Sequence, residues 1–314
     1  MKIFEYSKVD WQQVLELNLT SFNWYLTPSL VSNIFNVDKR VAQYFAIYGV
    51  ENGEVLGQVG ILIDNTKTIN GYERIGYLWA LCTKPSAFRK RVATRLIEEA
   101  HLRLLADGVR YSFIGTQRSL IAYDLFKKIG YSDFINSNLA LKNYEKHEIN
   151  KTDVSFSTEY DEEMIFEIFS RYSQNMLGFI CRPSNFISIR KVWAWMPINL
   201  IGVFQKKNKL IGYVLGIKEG KTIKIKELCC PIPEDIYGCI KALEFEFKPE
   251  HIVFDFISRY SIINNLINDG FRCINPTLSL YMIKDLKAIQ EIDHTQYIYG
   301  IGNDKFHMTS IDDY

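Results

Sequence analysis

One pattern occurs twice in this chain, and it constrains the fold more than any other feature. Gly53-Glu54-Val55-Leu56-Gly57-Gln58-Val59 has a counterpart in Asn208-Lys209-Leu210-Ile211-Gly212-Tyr213-Val214, 155 residues on. Lys128-Ile129-Gly130-Tyr131, closing a helix before a strand, is echoed 140 residues on by Asn268-Asp269-Gly270-Phe271. Both offsets are close to half of the 314 residues, and the order and context of the two matches agree, so the chain reads as an internal duplication. Length alone also predicts two domains, at roughly 150 residues each. The expected units are 1–145 and 153–290, joined by the polar connector Lys142 to Thr152 and followed by a tail at 291–314.

Within each unit short strands and helices alternate. The first begins with a strand at 2–7 and a helix from Trp11 to Asn18, then the aromatic-rich segment Thr20 to Leu26 and a helix through Leu30, Val31, Ile34 and Phe35. Tyr44 to Tyr48 and Val55 to Ile63 are expected as strands around the turn Glu51-Asn52-Gly53-Glu54. Asn65 to Gly71 reads as a polar loop. Ile75 to Thr83 is nearly all apolar, as in a central strand covered on both faces. A long helix to Asp107-Gly108 follows, then a strand from Arg110, a helix from Ser119 to Ile129 ended by Gly130, and a strand over Asp133 to Leu141. The second unit repeats the order, with a helix over Glu162 to Tyr172, strands over Ile201 to Phe204, Leu210 to Ile217 and Thr222 to Leu228, and a helix over Ile236 to Phe247. A strand over Ile252 to Ile257, a helix over Ile262 to Asp269 and a strand over Leu278 to Ile283 follow; the last 25 or so residues are less regular.

The junction after the central strand carries the strongest chemical signal. Lys84-Pro85-Ser86-Ala87-Phe88-Arg89-Lys90-Arg91-Val92-Ala93-Thr94-Arg95-Leu96 holds five basic residues and no acid. Pro85-Ser86 suits a helix start, and Val92, Leu96, Ala100 and Leu104 form one apolar row beyond it. Cations at a helix N-terminus oppose the macrodipole by roughly 0.3–1 kcal/mol each. A bound anion reverses that conflict, because free N–H groups and basic side chains then converge on it. A solvated basic patch is the competing reading of the same residues.

Composition removes several classes. With 37 basic and 36 acidic residues the net charge is +1, unlike a protein held to nucleic acid by phosphate contacts. None of the six cysteines forms a CxxC pair and Cys229-Cys230 are adjacent, so free thiols are expected rather than a zinc knuckle or disulfide framework. The five histidines lack metal-ligand or triad spacing, so no metal is expected. Neither a signal peptide's apolar core nor an 18-residue apolar run is present, and the expectation is a cytoplasmic protein that engages no membrane. Walker and GxGxxG loops are absent, which leaves kinase and dehydrogenase readings without support. No feature sets an oligomeric state.

The order of elements resembles the GNAT acyltransferase superfamily. The match is sharpest at Thr83-Lys84-Pro85, which looks like the family's Val-x-Pro, and at Phe88 to Ala93, which occupies its Arg/Gln-x-x-Gly-x-Gly/Ala pyrophosphate loop. Ser119-Leu120-Ile121-Ala122 through Phe126 to Gly130-Tyr131 looks like its Asn-x-x-Ala…Tyr-x-x-x-Gly-Phe signature. With the repeat, the chain is similar to the first two domains of enhanced-intracellular-survival acetyltransferases. The fold this implies is α/β (α+β): two tandem GNAT folds, each a mixed, mostly antiparallel sheet flanked by helices.

The resemblance implies an acyl-CoA-dependent N-acyltransferase with acetyl-CoA as co-substrate and a small-molecule or peptide amine as acceptor. Its coenzyme residues fall at Leu81, Cys82, Thr83, Arg89, Lys90, Arg91, Val92, Ala93, Thr94 and Ser119. The chain departs from the family at three points: Phe88 replaces Arg or Gln, Arg91 replaces Gly, and Phe126 replaces the tyrosine that serves as general acid. Tyr123, one turn earlier, is the substitute candidate. Glu73 and the terminal carboxylate of Tyr314 are candidate bases, and Phe22, Trp24 and Tyr25 a candidate acceptor wall, with strand-edge and core roles as the alternatives. In the second unit Pro231-Ile232-Pro233-Glu234 and Leu266 occupy the loop and tyrosine positions, so that unit is expected to bind no coenzyme. A duplicated fold that binds a ligand or partner without turnover is the alternative function.

Overall fold

A computed structural model describes residues 1–144, 152–193, 197–274, 277–287, 291–310 and 312. The first half runs β1 (Lys2–Glu5), α1 (Trp11–Phe22), α2 (Pro28–Val37), β2 (Val41–Glu51), β3 (Glu54–Thr68), β4 (Gly71–Thr83), α3 (Val92–Ala106), β5 (Tyr111–Gln117), α4 (Ile121–Lys128), β6 (Ser132–Asn136) and β7 (Leu139–Asn143). The second half runs β8 (Val154–Ser157), α5 (Glu162–Ser173), β9 (Leu177–Gly178), α6 (Phe186–Val192), β10 (Leu200–Lys206), β11 (Lys209–Glu219), β12 (Thr222–Cys229), α7 (Asp235–Phe247), β13 (His251–Phe254), α8 (Tyr260–Asn268), β14 (Arg272–Ile274), β15 (Ser279–Asp285), α9 (Ile292–Ile298) and β16 (Phe306–His307).

Two sheets of the same order result. The first is β1-β2-β3-β4-β5-β15-β6 and the second, read from the matching edge, is β8-β10-β11-β12-β13-β7-β14. In both, the fourth and fifth strands are parallel and the other strands on this path are antiparallel. The sixth position is exchanged: β15 of the second half lies between β5 and β6, and β7 of the first half lies between β13 and β14. The expected strand over 133–141 is therefore two. Ser137 and Asn138 carry the chain between sheets, with Ser137 N–H on the Ser279 carbonyl at 3.0 Å and Asn138 Nδ2 on the Ile257 carbonyl at 2.8 Å.

Two other local expectations change. Asn65 to Thr68 is strand, not loop, because Thr66 and Thr68 are buried and Thr66 Oγ1 lies 3.1 Å from the Tyr299 hydroxyl. Pro85–Ala87 is a separate 3-10 turn, so Ser86 does not cap α3, which begins at Val92 after Arg91.

The first sheet carries two cores. On one face α3 and α4 bury Val92, Leu96, Ile97, Ala100, Leu104 and Phe126 against β3–β5 and β15. On the other, α1 and α2 meet the second half, where the fully buried Trp193 packs against Trp24, Phe45 and Trp79 and donates Nε1–H to Asp38 at 2.8 Å. Among the described residues no helix is long and apolar enough to cross a membrane.

His101 is the polar member of the α3 face. It is buried, its Nε2 lies 2.9 Å from the Tyr131 hydroxyl, and burial pushes its pKa down to about 4, with a smaller push from Lys284. The unfolded chain binds a proton near pH 6.5 that the folded one refuses until about 4. The stabilisation is thus complete above pH 6.5 and is lost as pH falls towards 4, by about 2–3 kcal/mol. Urea melts at pH 7.5 and 4.5 should show this loss, and a His101→Phe variant should show less of it.

Candidate active site

The site starts from a break in the first sheet. Parallel pairing of β4 with β5 runs from Ile75↔Tyr111 to Tyr77↔Phe113 and goes no further. Beyond it Leu78 to Thr83 continue along β3, while Ile114 to Gln117 follow β15. Two strands thus diverge, and the inner edge of β4 offers backbone N–H and C=O groups to anything lying in the gap.

A bulge sits at the divergence. Gln58 faces Cys82 but Gly60 faces Trp79, so Ala80 and Leu81 together oppose Val59. Ala80 is left-handed at φ 46°. The bulge lays the Trp79 indole over Gly60, where an added Cβ would come within 2.0 Å of the ring, so only glycine fits there. Cys82 is half-buried beside Ser21 and the Gln58 backbone; burial pushes its thiol up to about 11, and those two hydrogen bonds partly oppose the shift.

The basic loop follows at the end of β4. Arg89 (φ 63°) and Arg91 (φ 59°) are both left-handed, so the backbone keeps a glycine-like course with arginine in place, at about 1–2 kcal/mol each. Arg91 is the N-cap of α3 and makes no side-chain cap bond. The first-turn N–H groups, from Val92 to Thr94, have no intrahelical partner and face the loop. Lys84 is paired with Glu54 at 3.1 Å, and Arg95 donates to the Met1 carbonyl at 2.9 Å. Arg89, Lys90 and Arg91 are exposed and form no ion pair among the described residues. Strain, unmatched cations and free N–H groups coincide in one loop, and an anion would offset all three.

The other candidates are placed unequally. Ser119 is exposed immediately before α4, beyond the splayed end of β5, and the Val92 side chain is buried under α3. Phe126 is in the core, 5.8 Å from the Tyr131 ring. The Tyr123 hydroxyl donates to both oxygens of Asp133, at 3.0 and 3.2 Å, in a cluster with Arg118. Glu73 is near the other end of β4, eight residues from Leu81 or about 26 Å of strand. Burial raises its pKa, and Arg110 opposes that shift. Phe22 and Tyr25 are exposed, whereas Trp24 is core. Tyr314 lies outside the described residues.

Sequence reasoning missed Asn18, Ser21 and Gln58, which back the bulge. A signal existed for Gln58, a polar residue inside the apolar run Val55 to Ile63.

The matching place in the second half is built differently. Glu227, fully buried, accepts from Arg182 at 2.7 and 2.6 Å, from the Tyr213 hydroxyl and from Thr309 Oγ1 at 2.8 Å. Arg182 also holds Asp312 at 2.8 Å, so the C-terminal segment is tied into this half. Glu227, Cys229 and His307 lie within 4.8 Å of one another, but four donors already occupy both Glu227 oxygens and leave no lone pair for a metal. The loop before α7 has Pro233 and Glu234 instead of basic residues. A separate cleft of about 740 Å³ between the halves is lined by Arg40, Asp64, Arg74 and Arg182, at the end of β4 opposite the splay.

The splayed fourth and fifth strands, the bulge and a basic loop on a helix N-terminus define the N-acyltransferase fold of the GNAT class. Residues 11–131 match the acetyltransferase (GNAT) family. The fold extends through both halves. A GCN5-related N-acetyltransferase from Anabaena variabilis superposes with TM-score 0.68 at 12% identity, over 91% of this chain and 72% of that one. One from Kribbella flavida gives 0.65 at 12%, over 91% and 72%. Eis1 from Mycobacterium abscessus gives 0.64 at 12%, over 91% and 74%. A comparison with curated proteins gave no significant match.

Proposed function

We propose that the chain is an acyl-CoA-dependent N-acyltransferase that moves an acetyl group from acetyl-CoA to an amine by direct attack in a ternary complex. The observation that carries this reading is the loop: left-handed Arg89 and Arg91 at the uncapped N-terminus of α3, next to the splay. The coenzyme pyrophosphate would be held by Arg89 to Thr94, and the thioester carbonyl by backbone N–H groups near Leu81 and Cys82. The amine nitrogen bonds to the carbonyl carbon as the C–S bond breaks, and the amine proton is released as the thiolate departs. With Phe126 in the core and the Tyr123 hydroxyl given to Asp133, no strong side-chain acid is assigned. Catalysis then rests on proximity and on backbone donors for the developing oxyanion. The thiolate is a good enough leaving group to be protonated by solvent. Phe22 and Tyr25 are proposed to border the acceptor entrance, and the second half to shape it from the far side.

The lack of a hydroxyl at Phe126 also favours a second reading, a coenzyme-binding protein without turnover. Calorimetric titration with acetyl-CoA comes first, and no heat at millimolar coenzyme would exclude both coenzyme readings. Release of free thiol from acetyl-CoA with a panel of small and peptide amines then separates them: amine-dependent thiol marks the enzyme, and none with any amine marks the binder.

A further inference from the structure

Asn18 and Gln58 are fully buried and meet side chain to side chain between α1 and β3. Asn18 Nδ2 donates to Gln58 Oε1 at 2.9 Å, and Gln58 Nε2 donates to Asn18 Oδ1 at 2.8 Å. The second Asn18 N–H goes to the Val14 carbonyl at 2.8 Å, and the second Gln58 N–H to the Ala80 carbonyl at 3.3 Å. All four N–H groups of the two amides are therefore used.

Ala80 is the left-handed residue of the β4 bulge. An L-residue stays in that region only where its surroundings hold it. Gln58 grips its carbonyl, and Asn18, anchored in α1, keeps Gln58 from rotating away. The second half provides an internal comparison. Tyr213 faces Cys229 in β12 as Gln58 faces Cys82 in β4, but its hydroxyl goes to Glu227. That strand also bulges, at Lys226, yet Lys226 is not left-handed. Of these two matching strands, only the one with the amide pair carries a left-handed residue; Phe45, left-handed at φ 56° at the irregularity of β2, is held instead by the rings of Tyr6, Phe35, Trp79 and Trp193.

We propose that Asn18 and Gln58 are positioning residues, a buried amide clasp that holds Ala80 left-handed. The clasp keeps Leu81 and Cys82 turned into the gap where the acyl end of the coenzyme is received. Its consequence for binding rests on the coenzyme reading above, whereas its hold on Ala80 is a property of the free protein. Neither side chain touches a reacting atom, and because amides do not titrate the clasp is insensitive to pH while the fold persists.

The test is the double variant Asn18→Leu/Gln58→Met, which removes both amides together and leaves neither orphaned in the core. In its crystal structure Ala80 should leave the positive-φ region. Its affinity for acetyl-CoA should fall about tenfold, while that for ADP, a probe of the basic loop alone, stays within twofold. Adding Ala80→Gly, which takes a left-handed conformation without strain, should restore most of the acetyl-CoA affinity; a purely structural role predicts no such rescue. Gln58→Asn keeps an amide but shortens its reach, and gives the same readouts should the double variant not fold. Ala80 remaining near φ 46°, or acetyl-CoA affinity unchanged, would overturn the clasp. If the wild type binds neither nucleotide, the coenzyme reading fails and the φ of Ala80 alone decides the clasp.

Discussion

Residues 1–144 expressed alone should not give a cooperatively folding domain. Their sheet lacks its sixth strand, since β15 pairs with β5 from Asp285↔Tyr111 to Ser279↔Gln117 and with β6 on its other edge. Leu280, Tyr281, Met282 and Ile283 are each at most 5% exposed, so the fragment loses four core side chains. At about 1.5–3 kcal/mol each this is roughly 6–12 kcal/mol, comparable with the 5–15 kcal/mol that holds a typical domain together. The fragment also carries β7, which has lost both neighbours, as an unpaired strand prone to aggregation. Fragments 1–152 and 153–314 produced together should co-purify as one folded complex. A sharp thermal transition and dispersed amide spectrum from 1–144 alone would show that the exchange is dispensable.

The second large effect is expected at Arg182. Its guanidinium binds Glu227 through both oxygens and Asp312 in addition, and all three side chains are at most 9% exposed. Arg182→Met leaves two carboxylates without their cation and should cost about 3–5 kcal/mol in urea denaturation at pH 7. A loss below about 1 kcal/mol would contradict the ion-pair account. The same cluster predicts acid sensitivity. Burial alone would raise the Glu227 pKa, but the Arg182 charge and the Arg182 hydrogen bonds outweigh it and hold the carboxyl well below its ordinary 4.5. A depressed carboxyl stabilises the fold fully above its unfolded value and less as pH falls below it. Acid unfolding below about pH 4.5 should therefore be shallower in Arg182→Met/Glu227→Gln, in which the charges of both Arg182 and Glu227 are absent.

Much of this was legible in the sequence, because the signals are local. The apolar run to Cys82, the basic loop and the apolar row of α3 lie within 30 residues, and the structure assembles them in the expected order. The duplication was visible because glycines at Gly57 and Gly212 serve the same close approach to the neighbouring strand. What escaped is what depends on distant partners. Nothing in Asp133 to Leu141 says that Phe134 and Ala140 belong to different sheets, since alternation encodes a buried face and not the strand beside it. Thr66 reads as a loop residue until Tyr299 covers it. Ser86 looks like a helix cap until Arg91 proves to hold that place. The left-handed course of Arg89 is equally hidden, because arginine does not announce a conformation that glycine would have advertised, whereas at Arg91 the family's glycine pointed to it.

The central claim is that the arginine loop holds the coenzyme. Calorimetric titration of acetyl-CoA into the wild type and into Arg89→Ala/Arg91→Ala tests it most directly. Both side chains are exposed and unpaired among the described residues, so the variant should keep its thermal stability. Its affinity should be at least tenfold weaker, about 1.4 kcal/mol or more. An affinity equal to that of the wild type would contradict the assignment of the loop.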